Sequence, residues 1–178
     1  MLSTAPTFDQ LYSLLPGSGD RPEAAPVPAE AVPQPYRKLL VHHDHMTVTV
    51  EEHFGDAVDV RVLECRRNGD EYVRKILLAL QGDGRVVQFG LVRIDLGVCP
   101  TPVRDAIVEG RTPLGRVLIQ HDMLRRIEPV AYLKVKLGPT MAEWFGSSEG
   151  TETYGRLGVI YTGEKPAVEV LEILAPIA

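Results

Sequence analysis

The stretch from Val58 to Leu96 constrains the fold most, because it alternates with period two and is interrupted twice by tight-turn chemistry. Val58, Val60, Val62 and Glu64 alternate with Asp59, Arg61, Leu63 and Cys65, and Asn68-Gly69 follows, a pair suited to the left-handed backbone of a two-residue hairpin. The return strand runs from Glu71 to Leu80. Gln81-Gly82-Asp83-Gly84 makes a second turn, and Arg85 to Leu96 a third strand with Val87, Phe89 and Leu91 on one face. Connections this short join neighbouring antiparallel strands, since a parallel crossover needs a dozen residues or more. Towards the C-terminus the pattern returns. Val130, Tyr132, Val135 and Leu137 alternate around Pro129, which marks a bulge or bend, and the runs 153–162 and 167–174 pair across Gly163-Glu164-Lys165-Pro166.

Helical signals lie before and between these strands. Phe8, Leu11, Tyr12 and Leu15 fall at helical spacing, and Pro16-Gly17 stops them. Residues 20–35 are rich in Pro and Ala with almost no large apolar side chain, the composition of an extended, solvated linker. A helix opens at Pro35 with Tyr36, Leu39, Leu40 and His43 on one face. The run from His45 to Gly55 is read as a helix despite Val48 and Val50, on the strength of its Gly55 terminus. Pro100-Thr101-Pro102 opens another helix, ended by Gly110, and Met141 to Phe145 reads as a short one. The prediction is an α+β fold: an antiparallel sheet of about six strands with helices packed on one face. Residues 1–35 form an N-terminal helix and Pro/Ala-rich linker, and residues 36–178 the folded domain.

A chain of 178 residues supports one core, and 44% hydrophobic with 24% charged residues is an ordinary globular balance. A net charge of -5 argues against nucleic acid as a partner. No run is long enough to span a bilayer, and the N-terminus lacks a basic-then-apolar signal pattern, so a cytoplasmic chain with no membrane partner is expected, and a monomer. Cys65 and Cys99 match neither a CxxC pair nor a metal knuckle. His42, His43 and His45 beside Asp44 fit no zinc spacing, so no metal is expected.

Two charged residues stand out on apolar strands. Tyr72, Arg74, Ile76 and Leu78 share a face, so Arg74 either meets a carboxylate or awaits an anionic ligand. In the strand Val168 to Leu174, Glu172 points with Val168 and Val170; a desolvated carboxylate there serves as acid, base or hydroxyl acceptor, or pairs with Arg74. Between them in sequence, Gly110-Arg111-Thr112-Pro113-Leu114-Gly115-Arg116 reads as a turn closing onto a helix, with Thr112 as cap, Pro113 as the first helical residue, and backbone donors free to face an anion beside the apolar Leu114.

These residues resemble the chorismate lyase family (chorismate pyruvate-lyase, 4-hydroxybenzoate synthase) from about Tyr36 to Pro176. The resemblance rests on Asp44-His45-Met46-Thr47, on the Tyr72-to-Leu78 strand with its Tyr-x-Arg, on Gly110 to Arg116, and on Gly163 to Pro166 with Glu172 to Pro176. Lys75 departs from the pattern, standing where the family carries an acidic residue.

The resemblance implies a six-stranded antiparallel sheet with helices on one side and a small buried ligand site under flaps. It implies that Arg74 and the backbone amides of Met46 and Leu114 hold an aromatic carboxylate, while Glu172 meets the ring hydroxyl. Arg74 and Glu172 would then be catalytic, and Met46, Arg74, Leu114 and Glu172 substrate-binding. The implied reaction eliminates pyruvate from chorismate to give 4-hydroxybenzoate, with no cofactor, since aromatisation of the ring drives it. The alternative is a non-catalytic domain of the same fold that binds or senses an aromatic acid. Ligand domains of one group of bacterial transcription regulators are similar to this fold, but such regulators carry a helix-turn-helix unit, and only about 35 residues precede the fold here.

Overall fold

The computed structural model describes residues 2–17, 19–123 and 125–177. In chain order the elements are α1 (Phe8–Tyr12), β1 (Glu23–Val27), α2 (Tyr36–Leu40), α3 (Met46–Phe54), β2 (Val58–Asn68), β3 (Glu71–Leu80), β4 (Val86–Asp95), α4 (Thr101–Glu109), α5 (Leu114–Gln120), β5 (Arg126–Lys136), α6 (Pro139–Trp144), β6 (Glu152–Thr162) and β7 (Lys165–Leu174). All seven strands form one antiparallel sheet in the order β1-β5-β6-β7-β4-β3-β2. The fold is α+β as expected, and the hairpins at Asn68-Gly69, at 81–85 and at 163–164 are its short connections. The β5 register shifts between Pro129 and Ala131, which is the bulge that Pro129 signalled.

The seventh strand is β1. Residues 23–27 are extended, and they pair with β5 from Glu23↔Lys136 to Val27↔Tyr132 instead of running free in solvent. Pro26 is tolerated because an edge strand has one side without a ladder.

Helices α2 to α5 cover one face. Beyond the one-face expectation, α1 and α6 lie on the other, where Phe8, Leu11, Tyr12, Met141, Ala142 and Phe145 pack against Val73, Leu77, Phe89, Leu91, Leu171 and Ile173. A capping box between Thr7 and Gln10 starts α1. Lys75 faces this side, where its Nζ donates to the Leu15 carbonyl (2.8 Å) and lies 3.7 Å from Glu64. The departure at Lys75 therefore points away from the α2–α5 face. Among the described residues no helix is long and apolar enough to cross a membrane.

On the α2–α5 face the core is split in two. One cluster joins α2 and α3 to Ile76, Leu78, Val87 and Leu174; the other joins α4 and α5 to Tyr72, Val92, Ile160, Val168 and Val170. The seam between them crosses the middle of the sheet, and there the polar residues gather.

Candidate functional site

Three rows of residues cross β3, β4 and β7 beneath the seam: Arg74, Val92 and Val170; Ile76, Gly90 and Glu172; Leu78, Gln88 and Leu174. Rows on one face are about 7 Å apart along the strands and strands about 4.8 Å apart across them, so Arg74 and Glu172 sit at opposite corners of a patch about 12 Å across. Gly90 is its centre. A Cβ there would come within 3.0 Å of Ile76 Cδ1, so the Ile76 side chain leans over this glycine and a larger residue would have to push it aside.

The roof is made where α3 and α5 meet by their N-termini. A Cβ on Gly115 would lie 3.0 Å from His45 Cβ and 3.0 Å from Thr47 Oγ1, so only glycine permits this approach without a shift. An ion pair between Arg116 and Glu51 ties the two helices, and the same Glu51 carboxylate accepts from Val58 N. Gly110 ends α4 in the left-handed conformation (φ 72°), as the turn reading requires. Thr112 does not cap: α5 begins at Leu114 with Pro113 as N-cap, and no side chain caps either α5 or α3. The N–H groups of Met46 and Leu114, the first residues of the two helices, have no acceptor among the described residues.

The structure brings together all four residues singled out from the sequence. Met46, Arg74, Leu114 and Glu172 line one cavity of about 50 Å³, with Gln88, Gly90, Val92 and His45. That volume holds a few waters, so an aromatic ring enters only when the Met46 and Leu114 side chains give way. His45 also lines a wide outer cleft of about 1000 Å³ bordered by Thr49, Glu52, Arg125 and Arg126, and so forms the partition between the two.

Arg74 is 1% exposed. Its Nη1 donates to the Ile107 carbonyl (3.1 Å), its Nε has no acceptor among the described residues, and the ionisable groups bearing on it there are Tyr72 and Cys65, not carboxylates. Burial pushes the guanidinium down from its ordinary value and the Tyr72 phenol up. No described carboxylate pairs with this cation.

Glu172, 9% exposed, has found another partner. Arg156 Nε donates to its Oε2 at 2.7 Å, in place of the Arg74 pair open from sequence. Arg156 is 2% exposed and also donates to the carbonyls of Leu40 (3.2 Å), His42 (3.1 Å) and Asp44 (3.0 Å), pinning the segment that leads into α3. Glu172 Oε1 has no hydrogen bond among the described residues. Sequence reasoning passed over Arg156, although Tyr154-Gly155-Arg156 repeats the Tyr-x-Arg signature of Tyr72-Val73-Arg74 on a strand whose inward face carries Ile160. Gln88 was also passed over. It is 3% exposed, its Oε1 has no donor among the described residues, and it lines the cavity.

The three histidines turn to different partners. His42 Nε2 meets the Leu39 carbonyl, His43 Nδ1 the Ile127 carbonyl, and His45 Nε2 accepts from Arg125 Nε. Burial, reinforced by Arg125 and Arg156 and opposed by Asp44, pushes the His45 imidazole down to about 4. It is therefore neutral at physiological pH.

No protein-family model matches the sequence, and no curated protein matches it. Solved structures similar in fold include the gene product SA0254 from Staphylococcus aureus, with a TM-score of 0.50 and 16% identity over 70% of this chain and 85% of that one. The ligand-binding domain of a protein described as a GntR-family transcriptional regulator from Bordetella bronchiseptica gives 0.48 and 14%, over 66% of this chain and 85% of that one. A GntR-family transcriptional regulator from Bacillus cereus gives 0.43 and 10%, over 67% of this chain and 92% of that one. At these identities what is shared with the Staphylococcus aureus protein is a fold, an α+β antiparallel sheet that fits the one implied by the sequence resemblance.

Proposed function

We propose that this chain binds a small aromatic carboxylic acid between the sheet and the α3 and α5 flaps. The observation that carries the reading is Arg74, a buried guanidinium that lines the cavity with no described carboxylate to meet it. A cation buried without a counter-charge destabilises the fold, and a ligand anion removes that cost. The planar fork suits a carboxylate, which takes two parallel hydrogen bonds, and the uncapped N–H groups of Met46 and Leu114 complete its shell. Val92 and the bare Gly90 backbone form the floor for the ring, and Met46 and Leu114 close over it. Glu172 Oε1 accepts from a ring hydroxyl.

Binding without turnover is the first reading, because Arg156 already occupies one oxygen of the Glu172 carboxylate, the side chain that would have to act on the ring. Elimination of pyruvate from chorismate is the second, favoured by a carboxylate that lines the cavity and keeps one oxygen without a hydrogen bond among the described residues. In that reaction the proton on the hydroxyl-bearing ring carbon leaves with the enolpyruvyl group, and the chain orients, desolvates and stabilises charge.

Purified protein titrated with benzoate, 4-hydroxybenzoate, benzamide and chorismate tests both. At a hundred times Kd an acid should stabilise by about 2.7 kcal/mol, a melting shift of about 5–10 °C for a chain of this size. Benzamide should give none. Absence of binding by either benzoate would overturn the reading, and pyruvate released from chorismate and lost in Glu172→Gln would establish the second one.

A further inference from the structure

We infer that Gln88 is a specificity residue of this cavity, and that the acid it takes carries two neighbouring hydroxyls remote from its carboxylate. The inference rests on the acid-binding reading above. Gln88 stands one row beyond Gly90 on β4, and Gly90 is paired with Glu172, so the amide and the carboxylate border the same end of the cavity, away from Arg74. Gln88 Oε1 is buried with no donor, and its Nε2 has no acceptor among the described residues. The whole amide is therefore without a described partner, whichever of its ends is the oxygen.

A buried amide on a strand otherwise filled by Val86, Val87, Phe89 and Leu91 is not there for packing. A single ring hydroxyl cannot serve both acceptors, because it has one proton and Glu172 Oε1 takes it. A second hydroxyl on the adjacent ring carbon supplies the second proton, and its oxygen accepts from the amide N–H in return. Met46 and Leu114 border the cavity on the flap side and Gly90 and Val92 on the sheet side, so a planar ring slides between them once the two flap side chains give way. The ligand class is a vicinal dihydroxybenzoic acid, with 3,4-dihydroxybenzoate as its simplest member.

Calorimetric titration of the full chain with 4-hydroxybenzoate and 3,4-dihydroxybenzoate measures the discrimination. The dihydroxy acid should bind about tenfold tighter or more, the effect of one further hydrogen bond to a buried, unpaired group. In Gln88→Met and Gln88→Leu, which keep the volume and remove the amide, the ratio should fall to near one. A wild-type ratio near one overturns the inference without any variant, and so does a ratio that survives in a folded Gln88→Met; either result leaves acid binding intact. If neither acid binds the wild type, the acid-binding reading falls and this inference falls with it.

Discussion

Arg74→Met separates a functional arginine from a structural one, because the two roles predict stability changes of opposite sign. The side chain is 1% exposed, its Nε lacks an acceptor among the described residues, and a hydrogen bond to the Ile107 carbonyl holds its head beside the Tyr72 phenol. Replacing a buried charge by an apolar side chain of similar length is neutral or stabilising by about 1–4 kcal/mol when its electrostatic partners are poor. Losing the bond to Ile107 costs about 1 kcal/mol. The net expectation is a gain of roughly 1–2 kcal/mol, read as a shift of the urea midpoint at constant slope. Acid binding should move the other way. Two charge-assisted bonds to a carboxylate are worth about 3 kcal/mol or more, so affinity for 4-hydroxybenzoate should fall at least about a hundredfold. Arg74→Lys should also bind poorly, since an ammonium keeps the charge and loses the fork. If Arg74→Met lost about 2 kcal/mol or more of stability while binding survived, the arginine would be structural and the ligand pole would lie elsewhere.

Two further outcomes follow from the rest of the site. Arg156→Met should cost about 3–5 kcal/mol, because it leaves the Glu172 carboxylate buried beside no cation, and adding Glu172→Gln should restore at least about 1 kcal/mol of it; strict additivity of the two changes in urea unfolding would deny the pair any role. The His45 imidazole titrates at about 4 in the native chain, against its ordinary 6.5 once unfolding returns it to water. On acidification the unfolded chain therefore takes up this proton first, so stability is unaffected above 6.5 and falls as pH drops towards 4, by about 3 kcal/mol from this group. His45→Gln should flatten the wild-type pH slope over that window by this amount, and identical slopes would refute the assignment.

Much of the sheet was legible because its signals are local. Asn68-Gly69 and the glycines at 82 and 84 close hairpins whatever lies around them, and period two follows from the pleat. The helix at 46–54 was legible against its β-branched residues, because Gly55 stops it and Met46 and Val50 lie four apart on the buried side. What escaped depended on partners distant in sequence. Strand β1 carries Val27 as its one larger aliphatic side chain beside alanines and a proline, and forms because β5 offers an unpaired edge to its backbone. Gln88 was hidden by reading Val87, Phe89 and Leu91 as one face. A register shift beside Leu78 and Ala79 lets Val87 join the α2–α3 cluster while Phe89 and Leu91 go to the opposite side, and Gln88 turns to the cavity. Arg156 carried the same pattern as Arg74, but its meaning required knowing that β6 lies beside β7.

The fold accepts its losses of packing and pairing at the seam above β3, β4 and β7. Across the sheet, inward positions on β3, β4 and β7 are filled by Ile76, Leu78, Val92, Val170 and Leu174, residues that make close packing straightforward. At the seam the same rows carry an arginine with no described carboxylate, a glutamine with no described partner and a glycine with no side chain. Each is destabilising alone: a buried charge, an unmade hydrogen bond, and a glycine inside a strand. Apolar replacements at Arg74 and Gln88 would join the two half-cores into one. Three such losses meeting in a single cavity, beneath two uncapped helix N-termini, are the pattern expected where the missing contacts come from a bound molecule, with an anion at one end, a flat apolar middle and hydrogen-bond donors at the other.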